Sequence, residues 1–260
     1  MIKPHNKDLL LAIDIGNTAI DIGLFKNRHL SRKVKIRSSS REAAIFKGIK
    51  KLGSLNDLRK AAVIISSVAP LSLKHVKGVL GKKLGVKPFV LGRHLRVPIK
   101  NLYKKPLQVG QDRLVAAYAC HQLYKSPAII VDFGTAVTFD LVNRKGEYEG
   151  GLITIGADMA AEALADKTAL LPKIRLKSPK RLIGKDTKES IRSGIVFGMA
   201  CMCKGLVDRI KNEKNKQLFV LATGGLSRII AKHSKCIDKI DDNLILKGLC
   251  LIYYNDTNYK

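Results

Sequence analysis

The sequence predicts an α/β protein with mixed sheets, built as two similar halves. Two stretches share one plan: an apolar strand, an acid, a glycine, a threonine and a returning strand. The first is Leu9 to Phe25, LLLAIDIGNTAIDIGLF, and the second is Ala128 to Leu141, AIIVDFGTAVTFDL. Each reads as a buried strand, a tight turn and an alternating partner strand. Recurrence of the plan at long spacing points to a duplicated domain rather than a solenoid. In each half the strands come first, followed by alternating helices and strands, which is α/β order. The sequence therefore divides into residues 1–109 and 110–260.

The elements follow in order. After the first hairpin, Asn27 and Arg28 make a turn and Lys33 to Arg37 returns as a third, more exposed strand. Arg41 to Leu52 has helical spacing, and Ala61 to Ser67 is a short buried strand. Pro70 opens a helix that Gly85 stops. Phe89 to Leu91 is a brief strand, and the proline- and lysine-bearing stretch to Val109 is the crossover. Gln111 opens an amphipathic helix to about Tyr124, with Asp112 in its first turn, where an anion is favoured. The second half repeats the sequence of hairpin, third strand (Tyr148 to Ile155) and helix (Ala157 to Ala165). A basic loop, 173–188, precedes a long helix from about Glu189 to Lys211. Leu218 to Ala222 is a strand turning at Thr223-Gly224-Gly225, and Asp241 or Asp242 is expected to cap the last helix.

Composition narrows the function. The chain has 260 residues, 46% hydrophobic and 27% charged, as in an ordinary globular protein. No apolar run approaches the roughly 20 residues that span a bilayer. Asp14 interrupts the first apolar run too early for a secretion signal, so a cytoplasmic protein without membrane association is expected. The formal charge of +27 would suit nucleic acid, yet the 48 lysines and arginines are spread along the chain and there is no Trp. We read a solvated basic surface that favours anionic ligands, with no specific nucleic-acid partner. The five cysteines read as reduced thiols; Cys201 and Cys203 point to different faces of a helix.

Three small polar turns carry the chemistry: Asp14–Thr18, Asp132–Thr135 and Thr223–Gly225. Phosphate sites need free backbone N–H groups, hydroxyls and a carboxylate for a metal, and glycine lets the backbone approach closely. The usual P-loop is absent, because Gly81-Lys82-Lys83 lacks the upstream glycine and the following Ser or Thr. No HExxH, GxSxG or helix-opening GxGxxG occurs.

This set of turns resembles the duplicated actin-like, ribonuclease H-like ATPase fold of the acetate kinase, sugar kinase, Hsp70 and actin superfamily. Two similar halves with a cleft between them are implied. Within that superfamily the chain resembles the type III pantothenate kinases, the group that includes the Bvg accessory factor-like proteins. The residues carrying the resemblance are Asp14-x-Gly16-Asn17-Thr18, Ile65-Ser66-Ser67-Val68-x-Pro70, Gly110-x-Asp112-Arg113, Asp132-x-Gly134-Thr135-Ala136-x-Thr138, Glu149-Gly150-Gly151, Thr168-Ala169-x-Leu171-Pro172, Gly184-x-Asp186-Thr187 and Thr223-Gly224-Gly225.

The resemblance implies ATP-dependent phosphorylation of pantothenate, with Asp112 as the general base. It implies that Asp14, Ile15, Gly16, Asn17, Thr18, Ala19, Ile20, Asp21 and Thr135 hold ATP with its Mg²⁺. Gly110, Gln111, Asp112, Arg113 and Tyr103 would meet pantothenate. Thr187 would reach it across a homodimer interface, and Asp132 would hold a monovalent cation, K⁺ or NH₄⁺. Read without the resemblance, Asp112 is a helix N-terminal acid, Arg113 a surface ion-pair partner, Tyr103 a packing residue and Thr187 a helix cap. The sequence departs from the family pattern at Gln111, where Ala is more usual, and at Thr154-Ile155-Gly156, where Pro is expected before the last glycine. Two rival functions are a non-catalytic regulator on the same fold and a kinase for another small alcohol.

Overall fold

A computed structural model describes residues 6–124, 126–214 and 217–255. The basic residues that open the chain and the end of the Lys211–Lys216 run lie outside them. The chain forms two compact units, one of Met1–Ile99, Lys104–Ala119 and Asn243–Lys260, the other of Lys100–Tyr103 and Cys120–Asp242.

In the first unit β1 (Asn6–Ile15), β2 (Ala19–Lys26) and β3 (His29–Arg37) form an antiparallel meander. Helices α1 (Glu42–Lys50) and α2 (Leu55–Lys60) lead to β4 (Ala61–Ser67), which pairs parallel with β1. Helix α3 (Pro70–Val79) continues through a π-turn, Leu80–Leu84, to β5 (Phe89–Val90), parallel to β4. The sheet order is β3-β2-β1-β4-β5. Hydropathy sets this order: Leu10 to Ile13 in β1 and Ala61 to Ile65 in β4 are fully buried, whereas β3 alternates between exposed and half-buried residues. A strand apolar on both faces belongs inside a sheet, and a basic alternating one belongs at an edge. Pro70 occupies the first turn of α3. At Gly85 (φ +72°) the helix stops, and the N–H groups of Gly85 and Val86 return to the Gly81 and Leu80 carbonyls.

Helix α4 (Gln111–Leu123) leads from the first unit into the second. There β6 (Ala128–Phe133), β7 (Ala136–Val142) and β8 (Tyr148–Ile155) form another antiparallel meander. Helices α5 (Ala157–Lys167) and α6 (Thr187–Lys214) precede β9 (Phe219–Thr223), α7 (Ser227–Ser234) and β10 (Lys239–Ile240). β9 runs parallel to β6, and β10 parallel to β9. Read from its third strand, this sheet is β8-β7-β6-β9-β10, the order and strand directions of the first. The duplication anticipated from two hairpins thus extends over five strands.

Helix α8 (Leu244–Asn255) returns to the first unit and packs on β1, β2 and β4. Gly248 permits its close approach to Val115 and Ala119 of α4. The compact units therefore follow packing rather than chain order; residue 109/110 stands as our proposal for where the repeat restarts. Asp241 and Asp242 lie just before α8. Asn243 precedes the helix and its carbonyl accepts from the Lys247 N–H, while Asp241 accepts from Tyr124 Oη and Asp242 binds Arg228. β3 starts at His29 rather than Lys33, and the brief α2 and β10 are too short to give a periodic signal.

Over 18 residues α6 reaches a mean hydropathy of 1.3, so by length and composition it could cross a membrane. Counting continuous apolar runs does not register this, because Gly, Ser and Cys are interspersed. In the fold its Ile191, Ile195, Val196, Met199 and Val207 are buried in the core of the second unit. Cys203 is buried there, 3.7 Å from Cys236 Sγ, while Cys201 is exposed, as their spacing predicts. The second unit also buries an acid, Asp140, which accepts from Tyr148 Oη at 2.8 Å and Thr138 Oγ1 at 3.0 Å. Tyr148→Phe removes one of these donors to a buried carboxylate and is expected to cost about 1–3 kcal/mol. Denaturant unfolding monitored by circular dichroism should show a lower midpoint with an unchanged slope.

Candidate active site

In the first unit Asp14 is the penultimate residue of β1. It lies opposite Asp21 of β2 and beside Ser66 of β4. The next residues leave the sheet in a turn that the Gly16 N–H closes on the Ala19 carbonyl. Asn17 and Thr18 are exposed at its tip. A residue that sequence reading missed holds this turn from behind: Ser38, buried just after β3, donates Oγ to the Gly16 carbonyl at 2.6 Å. Its N–H bonds the Thr18 carbonyl, and Ser72 Oγ of α3 donates to the Ser38 carbonyl. The only signal in sequence was a run of three serines, which is also what any polar loop contains.

The Gly110-x-Asp112-Arg113 turn arrives at the same end of this sheet. Gly110 packs against Val68, whose N–H bonds the carbonyl of Ile15, next to Asp14. Gln111 lies over Gly92, just after β5. The carboxyl ends of β1, β4 and β5 thus gather Asp14, Gly110, Gln111 and Asp112, the edge where open α/β sheets bind ligands. Asp112 Oδ1 accepts the N–H of Arg113 at 2.9 Å. It lies so close to Gly110 that a Cβ there would meet it. Burial raises the Asp112 carboxyl above the usual range, opposed by the Arg113 N–H and guanidinium. A carboxyl tuned upward in this way holds a proton closer to neutral pH than a solvated one does.

In the second unit Asp132 is again penultimate in the central strand. It lies between Thr138 of β7 and Thr223 of β9, the positions that Asp21 and Ser66 take beside Asp14. Gly224 (φ +91°) crosses above it, and a Cβ at that position would stand 2.4 Å from Asp132 Oδ1 and 2.6 Å from the Phe133 carbonyl oxygen. Gly134 and Thr135 are exposed at the hairpin tip, and Gly156 fits directly beneath them. A proline one residue earlier, as the family pattern has it, is absent without loss of this contact. The groups gathered around Asp132 are oxygen-bearing: the Phe133 carbonyl and the neighbouring strand positions Thr138 and Thr223. Among the described residues no cluster of three or more His, Cys, Asp or Glu could hold a metal ion.

Tyr103 and Thr187 lie elsewhere on the second unit. The Tyr103 ring covers Gly150 of β8 and is tilted against Tyr148, 6.5 Å between centroids. Thr187 begins α6 but does not cap it. Asp186 accepts the Glu189 N–H at 2.8 Å, and Glu189 reaches back to the Lys185 N–H at 3.1 Å, leaving Thr187 exposed.

Two matching five-stranded sheets with acid–glycine–threonine turns on their central strands define an actin-like ATPase fold. The same fold is seen in the ADPNP-bound activator of 2-hydroxyisocaproyl-CoA dehydratase from Clostridium difficile (TM-score 0.53, 13% identity, 95% of this chain and 93% of that one). It is also seen in the ROK hexokinase of Thermus thermophilus (TM-score 0.51, 12% identity, 97% and 100%). The profile of the type III pantothenate kinase family matches residues 10–209. The type III pantothenate kinase of Persephonella marina is 42% identical over 94% of this chain and 98% of its own. That of Moorella thermoacetica is 36% identical over 96% and 100%. The chain belongs to the type III pantothenate kinase family.

The raised carboxyl of Asp112 has a consequence for stability. Folded Asp112 keeps its proton to a higher pH than in the unfolded chain, so its contribution is greatest in acid. That contribution is lost as pH rises through the raised folded pKa. Asp112→Asn keeps an acceptor for the Arg113 N–H and carries no charge. Its melting temperature should exceed that of the unmutated protein at neutral pH, and the difference should close as pH falls below the ordinary carboxylate range.

Proposed function

We propose that this protein transfers the γ-phosphoryl group of ATP to the primary hydroxyl of pantothenate, giving 4′-phosphopantothenate, the first step toward coenzyme A. The observation that carries the reading is the half-buried Asp112, placed by Gly110-x-Asp112-Arg113 at the same sheet end as the Asp14–Thr18 turn, in a member of this family. An alcohol is a weak nucleophile at neutral pH. Asp112 accepts its proton as the hydroxyl oxygen bonds to the γ-phosphorus and ADP leaves. Arg113 and Gly110 shape the acceptor site with Gln111. Arg113 is suited to the pantothenate carboxylate through charge-assisted hydrogen bonds. Tyr103 and Thr187 are assigned to pantothenate as well, and the exposure of Thr187 beside a cap that does not need it supports that role.

The Asp14–Asp21 hairpin, held by Ser38, and Thr135 are assigned to the ATP phosphates. Asp14 offers the hard oxygen that Mg²⁺ requires, and the ion supplies positive charge to the phosphates when bound. Asp132 is assigned the monovalent cation, K⁺ or NH₄⁺, whose charge offsets that of the phosphates. Catalysis then rests on positioning and electrostatics. We assign a homodimer, with the second copy covering the β8 side of the second unit. Ile153 and Ile155 on this edge strand are 65% and 46% exposed, and Leu182 and Ile183 before α6 are 63% and 70% exposed. Exposed apolar edge strands favour such pairing. A cytoplasmic location fits this metabolic role.

Purified protein with ATP, Mg²⁺, K⁺ and pantothenate should form phosphopantothenate, detectable by mass spectrometry. Asp112→Asn should lower turnover by about 10²–10⁴-fold; near-normal turnover would remove it as the base. Exchanging K⁺ for Na⁺ should slow the reaction, and Asp132→Asn should abolish that dependence. A sizing column should give the mass of two chains, and an active single chain would refute the role of Thr187 across an interface.

A further inference from the structure

Lys173, Arg175 and Lys177 of the basic loop before α6 have no part in the reaction assigned above. In the segment Lys173-Ile174-Arg175-Leu176-Lys177, alternation turns Ile174 and Leu176 toward the core of the second unit. The three cations between them are exposed. Together with Lys188 and Arg192 of α6, they line a cavity of about 630 Å³ floored by Leu176 and by Ile229 of α7. No acid lines it.

The balance of charge around the cavity is unusual. Lys173 reaches Glu162 at 3.4 Å. Among the described residues, Arg175, Lys177, Lys188 and Arg192 have no ion-pair or hydrogen-bond partner. The two acids that open α6 are engaged elsewhere. Asp186 takes the Glu189 N–H, and Glu189 takes the Lys185 N–H and lies 3.7 Å from Arg181 Nε. Arg192 Nε is shut off from solvent and meets no acceptor. Scattered surface lysines are solvated one by one, but here the cations converge on a concavity and one donor is shut off from water. A multiply charged anion in this concavity relieves the mutual repulsion of the cations that line it. The volume falls in the range of about 300–1,000 Å³ for small-molecule sites, and the apolar floor suits the non-phosphate part of such a ligand.

We propose that this cavity binds a small molecule bearing a di- or triphosphate, its phosphate oxygens held by Arg192, Lys188, Arg175 and Lys177. None of these residues belongs to the Asp132–Thr135 turn or the Thr223–Gly225 turn, so the site is additional to the catalytic phosphate contacts. The polyphosphate could be inorganic or the tail of a nucleotide, and the two sources are separable.

The test is lysine acylation footprinting of the full chain, read by mass spectrometry, with inorganic tripolyphosphate in one arm and a nucleoside diphosphate in the other. Protection of Lys177 and Lys188, with Lys60 and Lys74 unprotected, is the expected result. Stronger protection by the nucleoside diphosphate assigns the apolar floor to the base and sugar; equal protection assigns the site to the phosphates alone. The double variant Arg192→Met, Lys188→Met should weaken tripolyphosphate binding by about tenfold or more by calorimetry, while the KM for ATP stays unchanged. Three outcomes would overturn the proposal. The first is that the pair stays unprotected at saturating phosphate, and the second that every exposed lysine is protected equally, as an unspecific basic surface would be by an oligonucleotide. The third is a rise in the KM for ATP in the double variant, which would make the cavity part of the catalytic nucleotide site. Footprinting needs no turnover, so it remains readable if pantothenate proves not to be the acceptor.

Discussion

On a strand in the middle of a sheet that is covered on both faces, charge is costly except where the strand leaves the sheet. This constraint fixes where the chemistry of the molecule lies. Within β1 and β6 every residue from Leu10 to Ile13 and from Ala128 to Val131 is fully buried, and the acid that follows each buried run is the strand's penultimate residue. At that point the neighbouring parallel strand contributes Ser66 or Thr223 in register, and the following turn exposes Asn17 and Thr18 or Gly134 and Thr135. Moving either acid inward by two residues would bury an ionised group at a large cost; moving it outward would place it in a loop with no fixed geometry.

The glycines act at the same places. Gly224 passes over Asp132 at a distance no side chain would permit, and Gly110 does so over Asp112. In both cases the backbone packs directly on a carboxylate and limits its hydration. Backbone packing of this kind fits the raised pKa of Asp112, which burial dominates. It also makes each turn a rigid mount, since the acid and the chain above it cannot move independently. Ser38 serves the first hairpin in the same way, by hydrogen bonds instead of contact.

The strong positive charge has two different fates in the structure. Some of it is paired locally, as in Lys35 with Asp21 at 3.1 Å, Lys204 with Asp208 at 2.7 Å and Lys214 with Glu149 at 2.6 Å. Exposed pairs of this sort contribute little to stability and serve mainly to keep the surface hydrated. The cations at the start of α6 are different because the acids that could neutralise them are used to cap the helix.

Sequence alone determined the features that depend on local pattern. Alternation and apolar runs identified the two hairpins, and through them the duplication; proline and glycine set the limits of α3 and its extension; the ordered small turns identified the family. Tertiary structure decided what depends on residues distant in the chain. That α8 closes the first unit follows from Gly248 meeting α4, a contact between residues about 130 positions apart that no periodicity encodes. That Asp186, and not Thr187, caps α6 was settled by which side chain reaches the Glu189 N–H, since either residue has the chemistry to do so. Ser38, one serine among three, acquired its role only because β3 ends beside the turn after β1. Sequence specifies which groups can carry charge or bond; folding decides which of them are withdrawn from water, and the raised pKa of Asp112 depends on that withdrawal.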